Sequence, residues 1–116
     1  MSNPNGRKGS RFEKAVVEML RADGFDMAER RKSEGSADRG DVAGIRNTVL
    51  EVKDHGVMQM GVAMAECEKE RANAGAKFSA VVFKRRGKGT VDAYAVTTLA
   101  QYSQMLRILE SGGWLR

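Results

Sequence analysis

The stretch GDVAGIRNTVLEVK, residues 40–53, contains two short apolar runs that are separated by a polar pair. Asp41 opens the first run, and Glu51 and Lys53 end the second. Side chains alternate along a strand, so Glu51 and Lys53 share one face. The stretch therefore predicts an antiparallel pair of strands that carries two carboxylates and a lysine at one end.

The turn between these strands decides whether the two carboxylates meet. A two-residue turn pairs Asp41 with Val52 and points Asp41 and Glu51 to opposite faces. A three-residue turn pairs Asp41 with Glu51, and Asn47 then occupies the left-handed position that such turns favour. A common site for the two carboxylates therefore requires an odd-length turn or a bulge.

The rest of the chain alternates between helix and strand patterns. The predicted elements are a helix from near Arg11 to residue 22, strands over 25–31, 41–45 and 48–54, a helix over 58–74, strands over 78–84 and 90–96, and a helix over 99–110. This order, αβββαββα, predicts an α/β or α+β fold with a central mixed sheet flanked by helices. Residues 1–9 are predicted to be a flexible basic arm, and residues 10–116 a single domain.

Composition narrows the class of protein. The chain has 116 residues, a net charge of +5 and 41% hydrophobic residues, which suits one globular domain. It contains no apolar run near the ~18 residues of a membrane span and no signal-peptide pattern, so we expect a cytoplasmic protein without a membrane partner. Cys67 is the single cysteine, which excludes an internal disulfide and predicts a small buried side chain.

Basic residues cluster along the chain, which favours nucleic acid as the partner. The candidate DNA-binding residues are Arg7, Lys8, Arg11, Arg30, Arg31, Lys32, Ser36, Arg39, Lys84, Arg85, Arg86 and Lys88. They can contact phosphates of the DNA backbone. The simpler alternative is a solvated basic surface, and for the loop over residues 33–40 it is a plain connector.

Glu13 is a third candidate carboxylate. It lies within the arc of apolar residues on the first helix. Ser10 and Glu13 form a capping-box pattern, which alone would explain a glutamate at this position. Considered together with Asp41 and Glu51, Glu13 becomes a candidate oxygen ligand for a divalent ion, with Lys53 as the cation beside an attacked phosphate.

These motifs resemble the PD-(D/E)XK nuclease superfamily and, within it, the archaeal-type Holliday-junction resolvases. The resemblance is carried by Gly9-Ser10-Arg11-Phe12-Glu13, Gly24-Phe25, Arg30-Arg31-Lys32-Ser33, Gly40-Asp41-Val42-Ala43 and Glu51-Val52-Lys53. The motif-bearing part is about residues 8–54. The chain departs from the pattern before Asp41, where Gly40 stands in place of proline.

The resemblance implies a restriction-endonuclease-like fold and a Mg²⁺-dependent endonuclease, with Mn²⁺ as a possible substitute. It implies that Glu13, Asp41 and Glu51 hold the metal, that Lys53 serves the nucleophilic water, and that Ser33 assists from the loop. The implied substrate is branched or duplex DNA, with the four-way junction first. Alternatives are a general or branched-DNA endonuclease of the same superfamily and a non-catalytic DNA-binding module.

Symmetric cutting of two strands predicts a homodimer. Two segments could supply its apolar surface. One is the last strand and helix, including Tyr94, Tyr102 and Met105, and the other is the Met-rich second helix. Either segment could equally belong to the core.

Overall fold

The computed structural model describes residues 4–31, 40–54 and 59–116, with the side chains of residues 4–8 excepted. Its elements are α1 (Pro4–Ala22), β1 (Glu29–Arg30), β2 (Val42–Ala43), β3 (Thr48–Lys53), α2 (Met60–Ala74), β4 (Phe78–Phe83), a 3-10 turn (Thr90–Asp92), β5 (Tyr94–Val96) and α3 (Leu99–Ser111). The described residues thus form an α+β fold with a five-stranded mixed sheet and three helices, which confirms the predicted class.

The sheet has the strand order β1-β2-β3-β4-β5. β3 and β4 are parallel and are connected through α2, whereas the other neighbours are antiparallel. The most apolar strand, β4, is an interior strand beside the middle strand β3. As a result, β3 and β4 end at the same edge of the sheet, and β2 begins there.

Two small cores cover the two faces of the sheet. On one face, α1 packs Phe12 and Val16 against Val52 of β3. On the other face, α2 packs Cys67 against Val49 of β3. Alternation along β3 therefore places the odd-numbered residues, which include Glu51 and Lys53, on the α2 side.

α1 begins at Pro4, so the predicted helix start near Arg11 is wrong, and residues 4–9 of the predicted arm belong to the helix. Proline suits the first position of a helix, because its missing N–H would have no intrahelical partner there. The capping box is wrong for the same reason, since Ser10 and Glu13 lie inside the helix. Both side chains bind Arg30 instead.

Further predictions need correction. The strands predicted over residues 25–31 and 41–45 are shorter, since β1 spans Glu29–Arg30 and β2 spans Val42–Ala43. The strand predicted over residues 90–96 is shorter, because Thr90–Asp92 form a 3-10 turn and β5 begins at Tyr94. At the start of α3, the Thr-x-x-Gln pattern of residues 98–101 predicts a capping box, and the Gln101 N–H does donate to the Thr98 side chain. The Gln101 side chain does not complete the box, because it is buried and donates to Glu68 and Ser79.

The turn between β2 and β3 has the odd length that the common site requires. Val42 pairs with Leu50, which is the register of a three-residue turn. Asn47 has a φ of 56°, the left-handed conformation predicted for it. Its carbonyl accepts from the N–H groups of Lys77 and Phe78, and its side chain accepts from Lys77 at 2.7 Å. The turn is therefore tied to the start of β4.

Within the described residues, no helix has the length and apolar character needed to cross a membrane.

Candidate functional site

A bulge brings Asp41 to the edge of the sheet. The Asp41 N–H donates to the Leu50 carbonyl at 2.8 Å, although Leu50 already pairs with Val42. Two successive residues therefore lie opposite one, which is the arrangement of a β-bulge. The Asp41 side chain turns back toward β3, where its Oδ2 accepts from the Val52 N–H at 2.7 Å. This hydrogen bond fixes the carboxylate beside Glu51.

Gly40 explains the missing proline. Its φ is +100°, whereas a proline ring holds φ near −65°. A side chain would also collide, because a Cβ at this position would lie 2.7 Å from Cγ1 of Val49 and 3.0 Å from the Leu50 carbonyl oxygen. The backbone that leads into Asp41 therefore requires glycine and excludes proline at this position.

Asp41, Glu51 and Glu70 form a group that is called here the carboxyl cluster. Glu51 is its most buried member, with 6% of the residue exposed. Its Oε2 is buried without a hydrogen-bond partner among the described residues. Burial, followed by contacts with the carboxyl groups of Asp41 and Glu70, raises the pKa of Glu51 to about 12. In the absence of a cation, Glu51 therefore keeps its proton at neutral pH.

Glu70 is a member of this cluster that the sequence analysis missed. It lies on α2, is 8% exposed and hydrogen-bonds the Glu51 carboxyl group. Its position carried a signal: Ala63, Cys67 and Glu70 are spaced as one face of a helix, and all three are buried. An acidic residue on such a face marks a polar interior, which here is the carboxyl cluster.

Lys53 lies on the same face of β3 as Glu51. Its Nζ is 3.4 Å from Oε2 of Glu66 on α2. Burial lowers the pKa of Lys53, but the acidic groups of Glu51, Glu66 and Asp41 outweigh burial and raise it above the ordinary value. Lys53 is therefore an ammonium ion at neutral pH, which can donate hydrogen bonds and offset negative charge.

Glu13 is close enough to Asp41 to feel its charge, but it has a partner of its own. Arg30 donates from Nε to Oε1 of Glu13 at 3.2 Å and from Nη2 to Oγ of Ser10 at 3.2 Å. Burial and then Asp41 raise the pKa of Glu13, and Arg30 partly offsets them. The Glu13 carboxylate is thus held by Arg30 next to the cluster.

The carboxyl groups can be tested against the metal that the resemblance implies. Among the described residues, no group of three or more His, Cys, Asp or Glu side chains is arranged to hold a metal ion. Glu13, Asp41 and Glu51 are therefore not assembled as a ready ligand set. Asp41 and Glu51 nevertheless fit a hard cation, because they supply adjacent carboxyl oxygens, one of them buried without a partner.

Three predicted DNA-binding residues meet at the same end of the sheet. Arg11, Lys84 and Lys88 line a cavity of about 450 Å³ whose wall includes Phe12. Lys84 follows β4 directly, its N–H donates to the Lys53 carbonyl, and its Nζ is 3.8 Å from Asp54. Basic residues that are distant in sequence therefore form one groove, called here the basic groove, on the α1 side of the sheet at the end where β3 and β4 stop.

Other predicted DNA-binding residues lie elsewhere. The Arg85 guanidinium is 4.6 Å from the Tyr94 ring centroid and donates to the Asp92 carbonyl, so it turns toward β5. Arg31 lines a separate cavity with Asn47. Arg86 is exposed and does not line the basic groove. The predictions for Lys32, Ser33, Ser36 and Arg39, and for the side chains of Arg7 and Lys8, lie outside what the structure describes.

Comparisons of the chain with protein-family models, with curated proteins and with solved structures gave no match. The case for a function therefore depends on the residues of the site.

Proposed function

We propose that this chain is a Mg²⁺-dependent DNA endonuclease of the PD-(D/E)XK type, with a restriction-endonuclease-like fold, that cuts branched DNA and resolves four-way junctions. One observation carries the proposal. The bulge at Asp41 and the odd turn bring its carboxylate against buried Glu51, while Lys53 projects from the same face of β3. Buried acids next to a lysine are the groups that metal-assisted phosphodiester hydrolysis uses.

Asp41 and Glu51 would hold the ion, with Mn²⁺ able to replace Mg²⁺. Glu13 would join them directly or through water. Such an ion, when bound, polarises the phosphate and lowers the pKa of an attacking water. The chain's own contribution is to keep the carboxyl groups in place: the Val52 N–H fixes Asp41, and α2 and β3 keep bulk water away from Glu51.

Lys53 would act as a cation and not as a base, because its raised pKa keeps it protonated. Its ammonium group can donate to a phosphate oxygen or orient the attacking water. To do so, Lys53 must give up its ion pair with Glu66, in which Nζ is 3.4 Å from Oε2 and the Glu66 side chain is half exposed. An exposed ion pair of this kind is worth at most about 1 kcal/mol, so a phosphate can replace it.

The basic groove would bind the DNA backbone. Arg11, Lys84 and Lys88 lie at the sheet end where β3 and β4 stop, and the carboxyl cluster lies at the same end. The groove lies beside α1 and Glu51 faces α2, so a phosphate chain bound in the groove would have to continue around this end of the sheet to reach the carboxyl cluster. A homodimer in the cytoplasm, with one such site in each copy, would cut two strands symmetrically.

A second candidate is a DNA-binding module without catalysis. The contact between the Glu51 and Glu70 carboxyl groups favours it, because a shared proton can satisfy buried acids without any metal. A general endonuclease for nicked, flapped or plain duplex DNA is the third candidate, since it would use the same site.

Incubation with a four-way junction or a linear duplex, each with Mg²⁺, Mn²⁺ or a chelator, tests the proposal. Asp41→Asn serves as the control for contaminating nucleases. Paired symmetric nicks in the junction alone support a resolvase, whereas cutting of both substrates supports a general endonuclease. Tight binding without cutting in either metal would overturn catalysis and leave the binding module.

A further inference from the structure

α3 buries few of its side chains against the rest of the fold. Gln101 is its one buried residue among those described, and that side chain is polar. It is held by hydrogen bonds to Glu68 and Ser79 near the start of the helix. α3 has 13 residues, a length at which an isolated helix is only marginally stable in water. The helix therefore lacks the apolar packing that usually stabilises one.

An apolar stripe runs along one side of α3. Leu99, Tyr102, Leu106 and Leu109 are spaced by three, four and three residues, the a-d-a-d spacing of a coiled-coil seam. Leu99 is 82% exposed, Tyr102 50% and Leu109 40%, and Leu106 is half-buried. Gln101 marks the side of α3 that contacts the rest of the fold. The middle of the stripe lies about 120° around the helix from Gln101, so the stripe points away from that contact. A second helix can reach it there.

We propose that α3 pairs with α3 of a second copy, antiparallel, about a two-fold axis at the level of Gln104. The stripe is symmetric about this position, so reversing the helix superposes the stripe on itself. Leu99 then packs against Leu109 of the second copy, and Tyr102 packs against Leu106 of the second copy. This is the alternation of a and d positions that antiparallel coiled coils use, and an isologous pair closes as a dimer.

Charge also favours this orientation. Glu110, the acidic residue of the last turn, flanks the stripe. The antiparallel arrangement brings it to the N-terminus of the opposite α3, near Thr98 of the second copy. Carboxylates are stabilised at helix N-termini, and antiparallel helix dipoles attract each other. A parallel arrangement would instead place the two Glu110 residues at the same end.

The pairing would supply the two-copy assembly that symmetric cutting needs, and in that respect it rests on the proposed function. Its evidence is separate, because α3 lies outside the carboxyl cluster and the basic groove. The tests below use neither DNA nor metal. They can therefore fail while the nuclease proposal stands, and they can succeed for a protein that does not cut.

The first test is native mass spectrometry and sedimentation of the full chain at high micromolar concentration. We expect a mass twice the 12.7 kDa of one chain. Replacing Tyr102 and Leu109 together by arginine should give monomers with an unchanged circular-dichroism spectrum. The matched control replaces Ala100 and Gln104 by arginine, which adds the same charge at exposed positions about 140° and 180° around α3 from the middle of the stripe, and should remain dimeric. A monomeric native chain, or equal dissociation of the control, would overturn the proposal.

The second test concerns orientation. Ser103 flanks the stripe, and the antiparallel pairing brings the two Ser103 positions together, whereas Gln104 faces away. We expect a short bismaleimide to link Ser103→Cys copies efficiently and Gln104→Cys copies hardly at all. Cys67 should not react with the bismaleimide, because it is buried and burial raises its pKa to about 11. Equal linkage of both variants would overturn the antiparallel pairing.

Discussion

The backbone N–H of Val52 donates a 2.7 Å hydrogen bond to Oδ2 of Asp41, so one carboxylate both completes the strand edge and belongs to the candidate site. Asp41→Asn keeps an acceptor oxygen and should leave the free energy of unfolding nearly unchanged. Asp41→Ala leaves the Val52 N–H without its partner and should cost about 1–3 kcal/mol. Cutting should fall by on the order of 100-fold or more in both variants.

Urea unfolding and a junction-nicking assay on the two variants separate these roles. A large loss of stability in Asp41→Asn would show that the negative charge itself holds the fold. The site assignment would then lose its main support.

Under the proposed function, Lys53→Met should abolish most cutting, because it removes the ammonium group that would contact the phosphate but keeps the aliphatic stem. Glu66→Gln is the matched control: it removes the partner of Lys53 and leaves the lysine. Loss of this partly exposed pair should change stability by less than about 1 kcal/mol in either variant. Single-turnover rates on bound junction provide the measurement, and full activity in Lys53→Met would remove Lys53 from the mechanism.

Gly40→Ala should damage both fold and activity. The substituted residue must adopt a φ near +100° and place its Cβ 2.7 Å from Val49 Cγ1. We expect a loss of about 1–3 kcal/mol in the free energy of unfolding, together with displacement of Asp41. Gly61→Ala is the control, because a Cβ there meets no atom within 4 Å and alanine favours helix. Thermal melts that rank the two variants equally would contradict this account.

The carboxyl cluster should make the metal-free protein less stable as pH rises. Glu51 binds a proton more tightly when folded, since its pKa rises from 4.5 to about 12. Its contribution is therefore fully present below pH 4.5 and is lost progressively toward pH 12. One such proton corresponds to at most about 1.4 kcal/mol per pH unit.

Urea unfolding from pH 5 to pH 9 in a chelator measures this slope. Glu51→Gln should flatten it, because glutamine stays neutral throughout, and Glu70→Gln should reduce it. Glu66→Gln, at the exposed rim of the site, should leave the slope as it is. A native chain whose stability is as independent of pH as that of Glu51→Gln would show that Glu51 is ionised in the fold.

The basic groove should set the salt dependence of DNA binding. Replacing Arg11, Lys84 and Lys88 by glutamine should weaken binding and reduce the slope of log K against log salt by up to about 0.9 for each lost phosphate contact. The control replaces three exposed basic residues outside the groove, Lys69, Lys77 and Arg107. An equal effect of both triples would mean that net charge, and not the groove, binds DNA.

The β2–β3 hairpin, with Asp41, Glu51 and Lys53, was predictable because its determinants are local. Alternation fixed the common face of Glu51 and Lys53, and the tolerance of Asn47 for a left-handed backbone favoured the odd turn that the structure has. The capping box predicted from Ser10 and Glu13 was wrong, because both side chains bind Arg30, which lies on β1. Short-range motifs cannot reveal a partner that only tertiary folding supplies.

Glu70 shows the same limit from the other direction. Its helix carries few large apolar residues, so the buried face had to be inferred from Ala63 and Cys67, and the acid there resembled an ordinary surface residue. The proximity of Arg11 to Lys84 and Lys88 in one groove could not be predicted from the sequence either. It depends on β4 lying parallel to β3, which places the end of β4 beside α1.

Asn47 accepts three hydrogen bonds from Lys77 and Phe78 while it closes the β2–β3 turn. A slip of one residue in that hairpin would send Asp41 to the opposite face and leave most of the chain folded. Under the proposed function, such molecules would be folded over most of the chain and would be inactive. Asn47 thus favours the register that brings Asp41 beside Glu51. The specific activity of a preparation would then reflect the fraction of molecules that have this register.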